Sequence, residues 1–199
     1  MYYTEGDSFV HTTVASSTIE PGEEITITCK YSTNHVPRST WHRHRLIYNT
    51  DINLLETRAD REELLRIWGF SCSCALCTSA PTANLASEAR VAKITELQDL
   101  LMDWTSSSSA SPELAEKLIK LYAKENLHAA KGTGHMFAAL AYNALGEEGE
   151  SMEKAKWHAQ MAIDAGTVGS GDLGKDREEM RELIEKPKKH WSWGERRRR

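Results

Sequence analysis

No stretch of this sequence is apolar for long enough to span a membrane, which takes roughly 20 residues in a helix. The first residues also hold no apolar core of a secretory signal. These absences argue for an intracellular protein without a membrane partner. Cysteine is scarce, four residues in 199. Three of the four are clustered, which fits an intracellular metal site better than a secreted disulfide framework. A strongly basic balance is missing too. The net charge of −4 gives little support to nucleic-acid binding. What remains is a hydrophobic content of 40% on a chain long enough for one domain, or one and a half.

The scarce cysteines carry the sharpest signal. Cys72, Cys74 and Cys77 follow directly on Trp68-Gly69-Phe70. A C-x-C-x-x-C run lets one tight turn aim three thiolates at a tetrahedral ion, most plausibly zinc. A closed structural site takes four ligands. The fourth is left open between Cys29, a histidine and water, and three thiolates alone would bind metal more weakly than a four-cysteine knuckle.

The chain as a whole reads as an α+β fold. Ser8 to Ala15 has strand composition, Pro21-Gly22 marks a turn, and Ile25 to Thr28 alternates as a half-buried strand does. Residues 30–50 have no period. Their His35, His42 and His44 match no metal-site spacing and read as an exposed loop. Asp60 to Trp68 reads as a short helix, and Thr78 to Asn84 as a polar linker. From Leu85 the pattern is helical. Val91, Ile94, Leu97, Leu101 and Trp104 form one stripe. Ser111-Pro112 caps a second helix, whose face is Leu114, Leu118, Leu121 and Tyr122. Gly132 and Gly134 punctuate. His135–Leu145 and Met152–Ala165 then form a helical pair with an alanine seam of Ala138, Ala141, Ala155, Ala159 and Ala162. It is similar to a tetratricopeptide-type hairpin, with an ordinary helical bundle as the alternative. Trp157 and Tyr142 read as core. From Lys186 onward seven basic residues face Glu195 alone, which reads as a solvated basic terminus.

Taken in order, Pro21-Gly22-Glu23-Glu24-Ile25-Thr26-Ile27-Thr28 followed by Trp68-Gly69-Phe70-Ser71-Cys72-Ser73-Cys74-Ala75-Leu76-Cys77 resembles the C-terminal part of a SET domain with its post-SET zinc knuckle. The likeness is to fungal SET proteins related to the SET-and-MYND group, and it covers roughly residues 1–80. The resemblance implies residues 1–70 as a partial SET domain and 71–80 as the knuckle, while 84–185 read as a helical region and 186–199 as a basic tail from their own patterns. It also implies a protein-lysine methyltransferase that uses S-adenosylmethionine and acts on a protein substrate, histone or other. Phe70 would then pack near the cofactor, and Cys72, Cys74 and Cys77 would hold zinc.

Two departures weigh against activity in this chain. The family's cofactor loop, its Asn-His motif and its fourth zinc cysteine precede this point and have no counterpart here. The chain thus reads as a rear portion, with Met1 an internal methionine. The family's catalytic tyrosine position holds Cys29, with Tyr31 two residues on as the alternative. Residues 30–50 read either as an insertion or as a translated intron, because codons for Cys29-Lys30-Tyr31 and Thr50-Asp51 can contain splice signals whose removal restores a tyrosine. Two functions stay open: a truncated, inactive methyltransferase, and a non-catalytic zinc-binding helical interaction module.

Overall fold

The structure is a computed structural model. It describes Leu55, residues 57–66, Gly69, Ser71, residues 77–169 and residues 174–196. The chain divides into two compact units, and among the described residues the boundary falls between Ala92 and Lys93.

In the first unit, α1 (Arg58–Arg66) starts at a side-chain cap. The Asp60 amide donates to Thr57 Oγ1 at 3.2 Å, and the Thr57 hydroxyl donates back to Asp60 Oδ2 at 2.6 Å. This closes one of the open donors that every helix start leaves. An Arg58–Glu62 pair at 2.6 Å spans the next turn. α2 (Pro81–Met102) runs across the boundary, its residues from Lys93 on belonging to the second unit, and it begins earlier than the sequence pattern suggests. Pro81 sits at the first helical position, where its missing N–H costs nothing. Asn84 is buried and donates to the Ser79 carbonyl at 3.2 Å. The stripe Val91, Ile94, Leu97 and Leu101 is buried as its spacing requires, each aliphatic side chain contributing roughly 1.5–3 kcal/mol. Trp104 lies past the helix end, and Leu85 is exposed.

The second unit is built on helices packed in sequence order. Ser111 caps α3 (Pro112–Lys124), accepting from the Leu114 amide, with Pro112 next. Its buried face is Pro112, Ala115, Leu118 and Tyr122. Leu114 and Leu121 are only half-buried, so the face lies slightly off the expected one. After a 3₁₀ turn at His128–Ala130 comes α4 (Lys131–Asn143). Gly132 and Gly134 therefore lie inside a helix and do not punctuate one. Gly134 has a packing reason: a Cβ there would lie 3.0 Å from Ile119 Cγ1 and 3.1 Å from the Tyr122 ring. The missing side chain lets α4 approach α3. α5 (Glu150–Gly169) and α6 (Gly174–Glu185) follow.

The core of this unit gathers Ala139, Leu140, Ala155, Ala159, Ala162, Met180 and Leu183, with Trp104, Met136, Tyr142, Ile163 and Ile184 packed on it. All five alanines of the expected seam are buried. Small side chains let α4 and α5 lie close, and α6 covers them with larger apolar groups.

The stretch after α6 is not the solvated terminus that its charge suggests. His190 and Ser192 are buried. The Gly194 and Arg196 amides donate to the Asn143 and Ala144 carbonyls at 3.2 and 2.9 Å, closing the open end of α4. The Arg196 guanidinium donates to the Leu101 and Asp103 carbonyls at 3.0 and 2.8 Å and lies 3.8 Å from the Trp104 ring centre. A cation at the carbonyl end of a helix also suits its dipole. Residues 187–196 thus form a strap over the ends of α2 and α4.

The α+β expectation is corrected. Every regular element among the described residues is helical, and that part of the chain is all-α. The expectation rested on residues 8–15 and 25–28. These strand readings lie outside the described residues, as does the aperiodic segment 30–50. From Arg58 onward the helical period governs.

Candidate functional site

The described residues bring two buried histidine sites together, and neither is the site expected from the sequence. Cys29, Tyr31, Phe70, Cys72 and Cys74 lie outside the described residues. Cys77 lies within them and is buried. Among the described residues no group of three His, Cys, Asp or Glu side chains is arranged to hold a metal ion.

The first site stands in the alanine seam. His135, Ala138, Ala139 and Tyr142 share one face of α4, and Ala155, His158, Ala159 and Ala162 share one face of α5. The antiparallel packing of the hairpin brings the two histidines together, with Nδ1 to Nδ1 at 2.9 Å. Both rings are buried. Two facing ring nitrogens at this distance hold one proton between them, donated by one ring and accepted by the other. His158 Nε2 points toward Glu116 Oε1, 4.0 Å away. A proton on that nitrogen is favoured, which makes His158 the acceptor at Nδ1 and His135 the donor. This tautomer is assigned from the surrounding charges.

Aromatic rings enclose His158. Tyr142 stacks on it at 5.6 Å and 17°, and Trp157 meets it edge-on at 4.7 Å. The Tyr142 hydroxyl donates to Glu116 Oε1 at 2.6 Å. Burial, and then that bond to a carboxylate, push its pKa up to about 12. Burial also holds His135 below the usual histidine range, with Lys131 adding to the effect. Burial and the neighbouring His135 bring His158 down to about 4, Lys154 acting in the same direction and Glu116 against it. Both rings are therefore neutral at pH 7. A single ion cannot join His135, His158 and Glu116, because the carboxylate faces the opposite end of the His158 ring from His135.

The second site lies in the strap. Ser192 Oγ is 2.8 Å from His190 Nδ1, and His190 Nε2 is 3.8 Å from Glu179 Oε1. Serine, histidine and glutamate in this order are the residue types of a hydrolase triad. The surroundings do not suit that chemistry. Ser192 is 0% exposed, so no substrate carbonyl can reach it. Its hydroxyl accepts from Asn143 Nδ2 at 2.9 Å, and its backbone N–H donates to the same His190 Nδ1 at 3.3 Å. His190 Nδ1 is thereby fixed as an acceptor, and burial holds the ring below the usual histidine range. The group is structural: it fastens the strap to Asn143, which also donates to the Pro187 carbonyl at 3.2 Å.

One expectation about the hairpin fails. Trp157 is 55% exposed, although the sequence reading places it in the core. It falls between the two buried positions Ala155 and His158–Ala159 on α5, where the helical turn carries it to the rim. Tyr142 is half-buried and packs on the core. The histidine pair was legible only as two seam-spaced histidines in alanine-rich helices, since no motif marks it. No protein-family model matches the chain, and neither the curated proteins nor the solved structures include one that does. No helix among the described residues is long and apolar enough to cross a membrane.

Proposed function

We propose that the helical body of this chain is a protein-interaction scaffold that carries no chemistry of its own. The observation behind this reading is Trp157. A large aromatic side chain, 55% exposed, stands on a helix hairpin and is braced at its edge by His135 at 5.7 Å and His158 at 4.7 Å. Aromatic residues held rigid and part-exposed are favoured anchors in protein interfaces, because little side-chain entropy is lost when they dock. The neighbouring Lys154 and Lys156 are paired to Glu150 and Glu153. The partner is a protein inside the cell. Proteins retained by the immobilised chain should be lost with Trp157→Ala, which keeps the fold because the ring is half out of it. Equal retention by both would reject the reading.

The order of the sequence motifs supports a second reading, that the chain is the rear part of a lysine methyltransferase with zinc on Cys72, Cys74 and Cys77. A calorimetric titration separates the two. The scaffold reading expects no S-adenosylmethionine binding by this chain, and binding in the micromolar range would favour the second. Zinc is a separate question. We expect it to be stripped by a mild chelator, and stoichiometric zinc that survives would point to a fourth ligand.

A further inference from the structure

The scaffold reading uses the buried histidine pair only as a brace for Trp157. Two ionisable rings in a seam made mostly of alanine demand an explanation, since apolar residues would fill the space without needing a partner. We infer that His135 and His158 form a proton-operated latch across the α4–α5 hairpin, which opens in acid.

The argument is one of proton counting. In the neutral pair one proton lies between the two Nδ1 atoms. A first added proton goes to the outer nitrogen of His135, and the Nδ1–Nδ1 bond survives. A second places a proton on each facing nitrogen, 2.9 Å apart. The bond is then lost and two positive charges oppose each other in a dry seam. Helices α4 and α5 carry one ring each, so the repulsion acts directly on the hairpin.

The groups around the pair set where this happens. From α3 come Glu116 and, acting on Tyr142, Glu113. From α4 come Lys131 and Tyr142, and from α5 Lys154. Helix α6 brings the apolar Met180, Leu183 and Ile184 to the seam, and the 3₁₀ turn before α4 carries the exposed His128. Among the described residues Glu116 is the one anion within reach of His158, and its Oε1 is already occupied by the Tyr142 hydroxyl. The positive charge of an open latch is thus left largely uncompensated.

Trp157 touches both rings edge-on and reports on them, because a protonated imidazole quenches a neighbouring indole. The test follows Trp157 emission in the full chain, taken as wild type minus Trp157→Phe, alongside far-UV circular dichroism as pH is lowered from neutral to about 4. We expect most of the Trp157 emission to be lost while the helical signal is intact. We expect the loss to vanish in His135→Phe/His158→Phe, whose apolar rings fill the seam. Emission that stays constant, or that falls only together with the helical signal, would overturn the latch. The wild-type difference signal decides even where the double variant does not fold. No partner enters the measurement, so its failure is distinct from failure of the docking reading of Trp157.

Discussion

The histidine pair in the hairpin and the lone histidine in the strap are buried to a similar extent, and they differ in what faces them. His135 and His158 face each other, and either ring can change tautomer. His190 faces a backbone N–H and the Ser192 hydroxyl, and a backbone N–H cannot reverse its role. The pair can take up one proton and keep its bond, whereas a proton on His190 Nδ1 breaks the bond from the Ser192 backbone N–H, even though the Ser192 hydroxyl can turn to accept. Burial alone thus does not say whether a histidine is a switch or a rivet. What decides is whether every partner can also accept, and a backbone N–H cannot.

The strap should be the more costly site to damage. Asn143→Ala removes donors from Ser192 Oγ and the Pro187 carbonyl inside a dry contact, and urea unfolding should show about 2–3 kcal/mol lost. Gly134→Val tests the contact of α4 with α3. Its new methyl groups would press on Ile119 and Tyr122, and a loss of about 2 kcal/mol is expected from overpacking. Arg196→Ala uncaps the end of α2 and leaves the Trp104 face bare, at about 1 kcal/mol by thermal unfolding. Ser192→Ala sharpens the contrast with a triad. The wild-type chain should not react with a fluorophosphonate serine probe, and labelling that Ser192→Ala abolishes would make the strap a catalytic site after all. Smallest is Trp157→Ala, which should change stability by less than about 0.5 kcal/mol while removing the proposed anchor.

Acid should weaken both sites. Folding makes His135, His158 and His190 harder to protonate. As pH falls below 6.5 the unfolded chain therefore binds protons first, and stability is lost progressively down to about pH 4, where folded His158 titrates. The melting temperature should fall across that window. A flat profile would mean that the folded and unfolded chains take up protons alike over this window.

Much of the helical body was legible from period and capping alone. Ser111-Pro112 opens α3 and the five alanines line the seam, because these depend on local chemistry. What escaped depended on long-range contacts. Gly134 looked like a helix breaker because its Cβ-sized gap against Tyr122 is invisible in sequence. Arg196 looked solvated because its acceptors, the Leu101 and Asp103 carbonyls, lie far back in the chain. Trp157 looked like core because hydrophobicity does not reveal which side of α5 it occupies. The histidines of the pair are 23 positions apart, and only the hairpin makes them neighbours.

The most direct measurement is imidazole ¹⁵N NMR of the full chain, following His135, His158 and His190 from neutral pH to about 4. We expect His135 protonated at Nδ1 and His158 at Nε2 near neutrality. On acidification the pair should take up its protons in two separate steps, while His190 stays an Nε2–H tautomer until the strap releases in one. Three rings titrating independently near 6.5, as free histidine does, would contradict the distinction between switch and rivet.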